Sequence, residues 1–413
     1  MPNHLRRLAA PALLAALLLA APSGPARAET AARPAADPAI EAKIADLLGR
    51  MSLEEKVGQM FLGGWSPDFD LKEVDDGALG ILSNMDEAAT TAKIRDRALT
   101  VRHGIPLIFS RDLIHGYRTL FPMPLGLAAT FDEEAIRIAG FQTGREGSAQ
   151  GLTLNLGPML DLSRDARWGR VVEGPGEDPY LARRFATAMV KGLSDGGMAA
   201  TLKHFVGYGA AESGRDYNAV DLSESRLRDL YLPPFRAGIE AGAQVVMASF
   251  NTLNGVPGTA NPHTLIDILR KEWGFDGIVM SDWDAVRELV AHGVAADERE
   301  AVEKAVDAGV DVDMASGLYR DHLVGLVRDG RVAMARIDEA VSRVLRVKFR
   351  LGLFEPAEKR PRLDPATAPR ALALPETREA ARDVARRAAV LLRNDGAVLP
   401  LTNPPQRVAV IGA

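Results

Sequence analysis

Gly277-Ile278-Val279-Met280-Ser281-Asp282-Trp283 is a short apolar run that a glycine opens and an aspartate closes. So brief a run between two such punctuation marks suits a buried strand better than a helix, which needs about ten residues or more. Helical period flanks it, over 264–273 before and 297–308 after. A strand set between helices is one unit of a parallel sheet, because parallel neighbours need a long crossover. The same alternation recurs along the chain. Strands are expected at 58–63, 78–83, 106–110, 152–158, 199–203, 245–250, 277–281 and 310–314, with helices such as 132–150, 179–193 and 223–241 between them. Eight such units in a chain of this length point to an α/β fold of the closed (β/α)8 TIM type rather than an open sheet. The first run holds only a few apolar residues, so a distorted first turn is expected.

The 413 residues are 47% hydrophobic and 25% charged, a balance that suits a globular protein with one large core and a second unit. A formal net charge of -5 gives no basic face for nucleic acid, so a neutral or weakly polar partner is expected. There is no cysteine, hence no disulfide and no thiolate metal site. His103, His115, His204, His263, His292 and His322 are scattered without ligand spacing, and neither a metal nor a cofactor is expected. At the start, His4, Arg6 and Arg7 precede an apolar run over 8–21, and Ala26-Arg27-Ala28 supplies small residues for cleavage. Residues 1–28 are therefore expected to be a secretory signal peptide, with the mature protein periplasmic or secreted and not held in a membrane.

The barrel is expected over 37–354, with a last helix at 335–351. Pro356, Pro361, Pro365 and Pro369 mark a linker over 355–375. Beyond it, 376–392 reads as an amphipathic helix, Asn394-Asp395-Gly396 as a turn and 407–412 as a buried strand. Residues 376–413 are expected to begin a second α/β domain that the chain enters without completing.

In such a barrel the polar residues just past the C-terminal ends of the strands face the site of chemistry. Here they are Asp112 after strand three, the stretch from Asp161 to Arg170 after strand four, Lys203-His204 at strand five, Met247 to Asn251 at strand six and Asp282-Trp283 at strand seven. One such residue alone is more often a solvated loop charge or a satisfied pair. Five strands ending alike form a pattern. Carboxylates, an arginine and a Lys-His pair together suit a sugar, whose hydroxyls both donate and accept. Trp168, Phe205 and Trp283 could stack on a pyranose, although Trp168 and Phe205 read more simply as core.

Four strings carry a resemblance: Asp112-Leu-Ile-His-Gly-Tyr-Arg-Thr-Leu-Phe-Pro122, Arg164-Asp-Ala-Arg-Trp-Gly-Arg170, the run from Lys203 to Asn218, and the run from Gly274 to Trp283. Their order and spacing, from about Ile40 onward, resemble the bacterial periplasmic β-glucosidase branch of glycoside hydrolase family 3. The resemblance implies a retaining β-glucosidase acting on small β-glucosides or oligosaccharides. It makes Asp282 the nucleophile and Asp112 the residue that grips hydroxyls at the far rim of the glucosyl ring. Arg170, Lys203 and His204 are implied to bind further hydroxyls, Met247 to line the pocket floor and Trp283 to flank the leaving group.

Retention requires two carboxyl groups about 5 to 5.5 Å apart. Asp282 must be ionised to attack, and Lys203 and Arg170 are expected to favour that form. For the proton donor, Glu173 reads as an ion-pair partner of Arg170, Glu177 as a complement to a helix N-terminus, and Glu212 lies on the 207–218 loop. The resemblance implies that the donor is a glutamate of the second domain, so this chain is expected to lack it. The β-N-acetylglucosaminidases of the same family place a His and an Asp on the loop after strand five, where this chain has Tyr208 and Arg215-Asp216-Tyr217. A sugar-binding barrel without chemistry is an alternative of a different class. The choice among glucose, xylose and other β-linked sugars stays open, as does oligomeric state.

Overall fold

The computed structural model describes residues 37–413 apart from 102, 357, 358, 360–362, 402–406, 408, 410, 412 and 413, so the expected signal peptide lies outside the described residues. Aspartates start several of the helices. Asp132 accepts from the Glu134 and Ala135 amides, Asp178 from Leu181 and Asp297 from Glu300, opening Glu133–Ala149, Pro179–Asp195 and Glu298–Asp307. Each side chain satisfies N–H groups that a first turn leaves without partners.

Between the helices run β1 (Phe61–Gly64), β2 (Ile81–Ser83), β3 (Ile108–Arg111), β4 (Leu154–Asn155), β5 (Ala199–Phe205), β6 (Val245–Ala248), β7 (Ile278–Trp283) and β8 (Val312–Met314). They close into a parallel barrel in the order β1-β8-β7-β6-β5-β4-β3-β2. A small antiparallel hairpin, Thr252–Leu253 with Val256–Pro257, follows β6.

All eight strands shift by up to three residues from the expected bounds, most at β1 and β4. Ser52 and Glu55 form a capping box that starts the helix Leu53–Gln59, so Gly58 belongs to that helix and β1 begins only at Phe61. The first strand is otherwise regular, with Leu62 paired to both Met314 and Ile81. β4 is shorter than 152–158, because Pro158 has no N–H to donate to a ladder.

Side-chain alternation along the strands explains what reaches the mouth. Leu62, Ile81, Ile108, Leu154, Ala199, Met247, Ile278, Met280 and Val312 share one inner cluster. A period of two carries that inward face from Ile108 to Asp112, from Ala199 to Lys203 and from Met280 to Asp282. All three lie at the C-terminal ends of their strands. The opposite faces, such as Val246 and Val279, pack against the surrounding helices through Phe235, Leu269 and Leu326.

The last barrel helix is Met334–Arg350. The helix expected over 376–392 spans Pro375–Arg387 and buries Thr377, Ala381 and Val384. It is fastened to the barrel by Arg387, which pairs with Asp132 at 2.7 Å, and by Thr377, which meets Arg145. The strand expected over 407–412 falls largely outside the described residues. Among the described residues no helix is long and apolar enough to cross a membrane.

Candidate active site

β5 delivers Lys203 to the mouth with its side chain 3% exposed, and its ammonium meets Asp112 Oδ2 at 2.7 Å. Asp112 is itself half-exposed, so it bridges the buried cation and the open pocket. The loop that carries it is held beside it: Asn155 accepts from the Leu113 amide at 2.9 Å and donates to the Leu113 carbonyl at 3.2 Å.

His204 lies buried among three charged groups. Asp161 Oδ2 accepts from the His204 backbone N–H at 2.9 Å and lies 2.7 Å from Nδ1. On the other side, Nε2 stands 3.3 Å from Arg170 Nη2 and 3.3 Å from Asp282 Oδ2. Arg170 is held in turn by two bonds of 3.0 Å to Glu173. Burial pushes the imidazole down to about 3, so it is neutral at ordinary pH. With its proton on Nδ1 towards Asp161, Nε2 presents a lone pair to the Arg170 guanidinium.

That tautomer leaves Asp282 without a donor from His204. Asp282 Oδ1 accepts the Trp283 backbone N–H at 2.7 Å, whereas the buried Oδ2 has no hydrogen-bond partner among the described residues. Burial pushes the Asp282 carboxyl up, and the Trp283 amide, Lys203 and Arg170 pull it back only in part. Lys203 and Arg170 favour the ionised form of Asp282, as expected, while loss of water acts against them and is larger. Burial likewise raises the Asp161 carboxyl, to about 7.

The profile described as the glycosyl hydrolase family 3 N terminal domain matches residues 40–347. The chain belongs to glycosyl hydrolase family 3. A periplasmic β-glucosidase of Salmonella typhimurium is 41% identical over 91% of this chain and 50% of its own length. A β-xylosidase of Formosa agariphila is 36% identical over 91% of this chain and 51% of its own. The crystal structure of a β-glucosidase from Listeria innocua with glucose has a TM-score of 0.81 at 38% identity, covering 87% of this chain and 53% of that one. The chain thus spans about half the length of the curated relatives it matches.

In this family 3 barrel the remaining expected residues separate by burial. Met247 is buried in the inner cluster, and Trp283 is 49% exposed at the end of β7. Trp168 and Phe205 are core, as their simpler reading held. Trp168 Nε1 donates to Asp216 Oδ1 at 2.9 Å, and the Tyr208 ring lies edge-on to both Trp168 and His204. Asp216, at the place where the N-acetylglucosaminidase branch carries its dyad, is thus engaged by an indole. Glu173 is the ion-pair partner of Arg170, and Glu177 and Glu212 are exposed. Among the described residues no group of His, Asp and Glu side chains could hold a metal.

Two carboxyls received no role from the sequence. Asp161 stood visibly at the end of strand four, but its bond to His204 depends on a contact across 43 positions. Glu288 sits half-buried on the helix Ala285–Ala291 that follows β7. Burial, then the charges of Asp282 and Asp284, push its carboxyl up to about 6. Its place one helical turn beyond Asp284, the residue that opens this helix, was the available signal.

Proposed function

We propose that the chain carries the barrel of a retaining β-glucosidase, which releases terminal non-reducing β-D-glucosyl residues through a covalent intermediate on Asp282. The observation that carries this reading is the buried, unbonded Oδ2 of Asp282 beside His204. That oxygen attacks the anomeric carbon, the glycosidic bond breaks, and its electron pair leaves with the departing oxygen, which takes a proton. Water then attacks the same carbon and frees Asp282. Asp112, Lys203, Arg170 and His204 hold the ring hydroxyls, Met247 forms the floor and Trp283 flanks the leaving group. The similarity to a periplasmic β-glucosidase supports export of the protein to the periplasm behind a signal peptide at residues 1–28. Residues 37–354 are read as the catalytic barrel, 355–375 as a linker and 376–413 as the start of a second α/β domain.

The proton donor is read as a glutamate of that second domain. A second reading has one observation behind it: the Glu288 carboxyl, at about 6, matches a group that must donate and accept near neutral pH. The test is hydrolysis by this chain of 2,4-dinitrophenyl β-glucoside, whose leaving group needs no proton, beside cellobiose. Without an internal donor, cellobiose should lag by on the order of 10² to 10⁴ beyond its normal ratio. Comparable turnover of both would place a donor inside the chain, and Glu288→Gln would then abolish cellobiose turnover while sparing the dinitrophenyl substrate. Undiminished hydrolysis by Asp282→Ala would overturn the nucleophile itself.

A further inference from the structure

Glu146 is a carboxylate only 1% exposed, in the last turn of the helix Glu133–Ala149. No cation pairs with it among the described residues. Its oxygens accept instead from four neutral donors, each at 2.8 Å: the backbone N–H groups of Arg118, Thr119 and Ala373, and the Thr119 hydroxyl. An anion buried among neutral donors near the negative end of a helix is costly to keep. What it joins is informative. Arg118 and Thr119 belong to the loop that begins at Asp112, whereas Ala373 belongs to the segment expected to be the linker.

The neighbouring bonds follow the same line. Gln150, just past the helix, donates to the Ala368 carbonyl at 3.2 Å, and Arg145 meets both Glu376 and Thr377, so one helix and its cap grip 368–377 at Ala368, Ala373, Glu376 and Thr377. The Asp112 loop is anchored by Asn155 just after the aspartate, by the Asp86 carbonyl, which accepts from the Tyr117 hydroxyl at 3.1 Å, and by Glu146 further on. Of these, only Glu146 is also bonded to the linker, through the Ala373 amide. Among the described residues Asp112 itself is tied to the pocket by a single side-chain hydrogen bond, from Lys203, so its reach depends on how the loop is held.

We propose that Glu146 is a positioning residue, which makes the placement of Asp112 in the sugar pocket depend on the seating of the linker. The proposal rests on the reading of Asp112 as the group that grips hydroxyls opposite the anomeric carbon. A role in packing alone would weaken all sugars alike. A positioning role acts on the hydroxyls that Asp112 holds.

The test is calorimetric binding of glucose and 4-deoxyglucose to this chain and to its Asp112→Asn, Glu146→Gln, Thr119→Val and Asp112→Asn/Glu146→Gln variants. The unaltered chain should prefer glucose by about tenfold or more, since a site built to bond a hydroxyl rejects the analogue without it. Glu146→Gln should lose most of that preference, and the double variant should match Asp112→Asn alone. Thr119→Val removes one donor of the four and should lose part of the preference; it decides the matter should Glu146→Gln fail to fold. A glucose preference kept in both Glu146→Gln and Thr119→Val, with Asp112→Asn losing it, overturns the proposal alone. An unaltered chain that binds neither sugar, or an Asp112→Asn variant that keeps the preference, overturns the reading of Asp112 and the proposal with it.

Discussion

Two buried aspartates occupy opposite ends of neighbouring strands. Asp311 immediately precedes β8 at the bottom of the barrel, and both of its oxygens are taken: Oδ1 by Arg343 at 2.8 Å, Oδ2 by Arg270 at 2.6 Å and by the Val279 amide at 2.9 Å. Asp282 closes β7 at the mouth, where Oδ1 takes one amide and Oδ2 none. Residue type and burial are alike, and the company differs. A buried charge saturated with donors is a structural fixture, and one with a bare oxygen is poised for something that arrives later. In this barrel the bottom is closed chemistry and the mouth is open chemistry.

The contrast breaks most visibly under paired substitution. Asp311→Ala takes the shared carboxylate from two largely buried guanidinium groups, leaving Arg343 with Glu339 and Arg270 with the Phe275 and Gly277 carbonyls, and should cost about 3 to 5 kcal/mol of folding free energy, read by chemical denaturation, with little change in rate per folded molecule. Asp282→Ala should do the reverse: folding free energy within about 1 kcal/mol, and hydrolysis of an activated glucoside down by on the order of 10⁴ or more. Equal losses of stability in the two variants would erase the distinction. A smaller effect sharpens the description of the mouth. Because the nucleophile proposed at Asp282 reacts as a carboxylate and burial raises its pKa, activity on an activated glucoside should fall as pH drops through a value above the ordinary carboxylate range near 4. Asp282→Asn removes the charge that, after burial, raises Glu288, so the Glu288 carboxyl should titrate lower by a few tenths of a unit to about one, read by NMR titration. A Glu288 carboxyl unmoved by Asp282→Asn would mean that the two groups do not sense each other.

The barrel was legible because its signals are local. Strand and helix lengths mark the units, and a period of two carries Asp112, Lys203 and Asp282 to the mouth without any knowledge of the third dimension. The start of β1 was misplaced for an equally local reason, since the capping box at Ser52 extends a helix across Gly58. What the sequence did not disclose is partnership. Asp161 with His204, Glu146 with Ala373 and Asp311 with Arg270 are contacts across 43, 227 and 41 positions, and the ionisation of Asp282 follows from burial that only the closed barrel creates. Glu288 drew no notice in the sequence, and only the fold exposes it to the charge of Asp282.

The bare oxygen of Asp282 is tested most directly by trapping what it forms. Treated with 2,4-dinitrophenyl 2-deoxy-2-fluoro-β-glucoside, whose leaving group departs without a proton, the chain should release one equivalent of dinitrophenolate and carry a fluoroglucosyl ester on the peptide containing Asp282. A label on a different carboxyl such as Glu288, or no label on a chain that binds glucose, would contradict the assignment of Asp282 as the nucleophile.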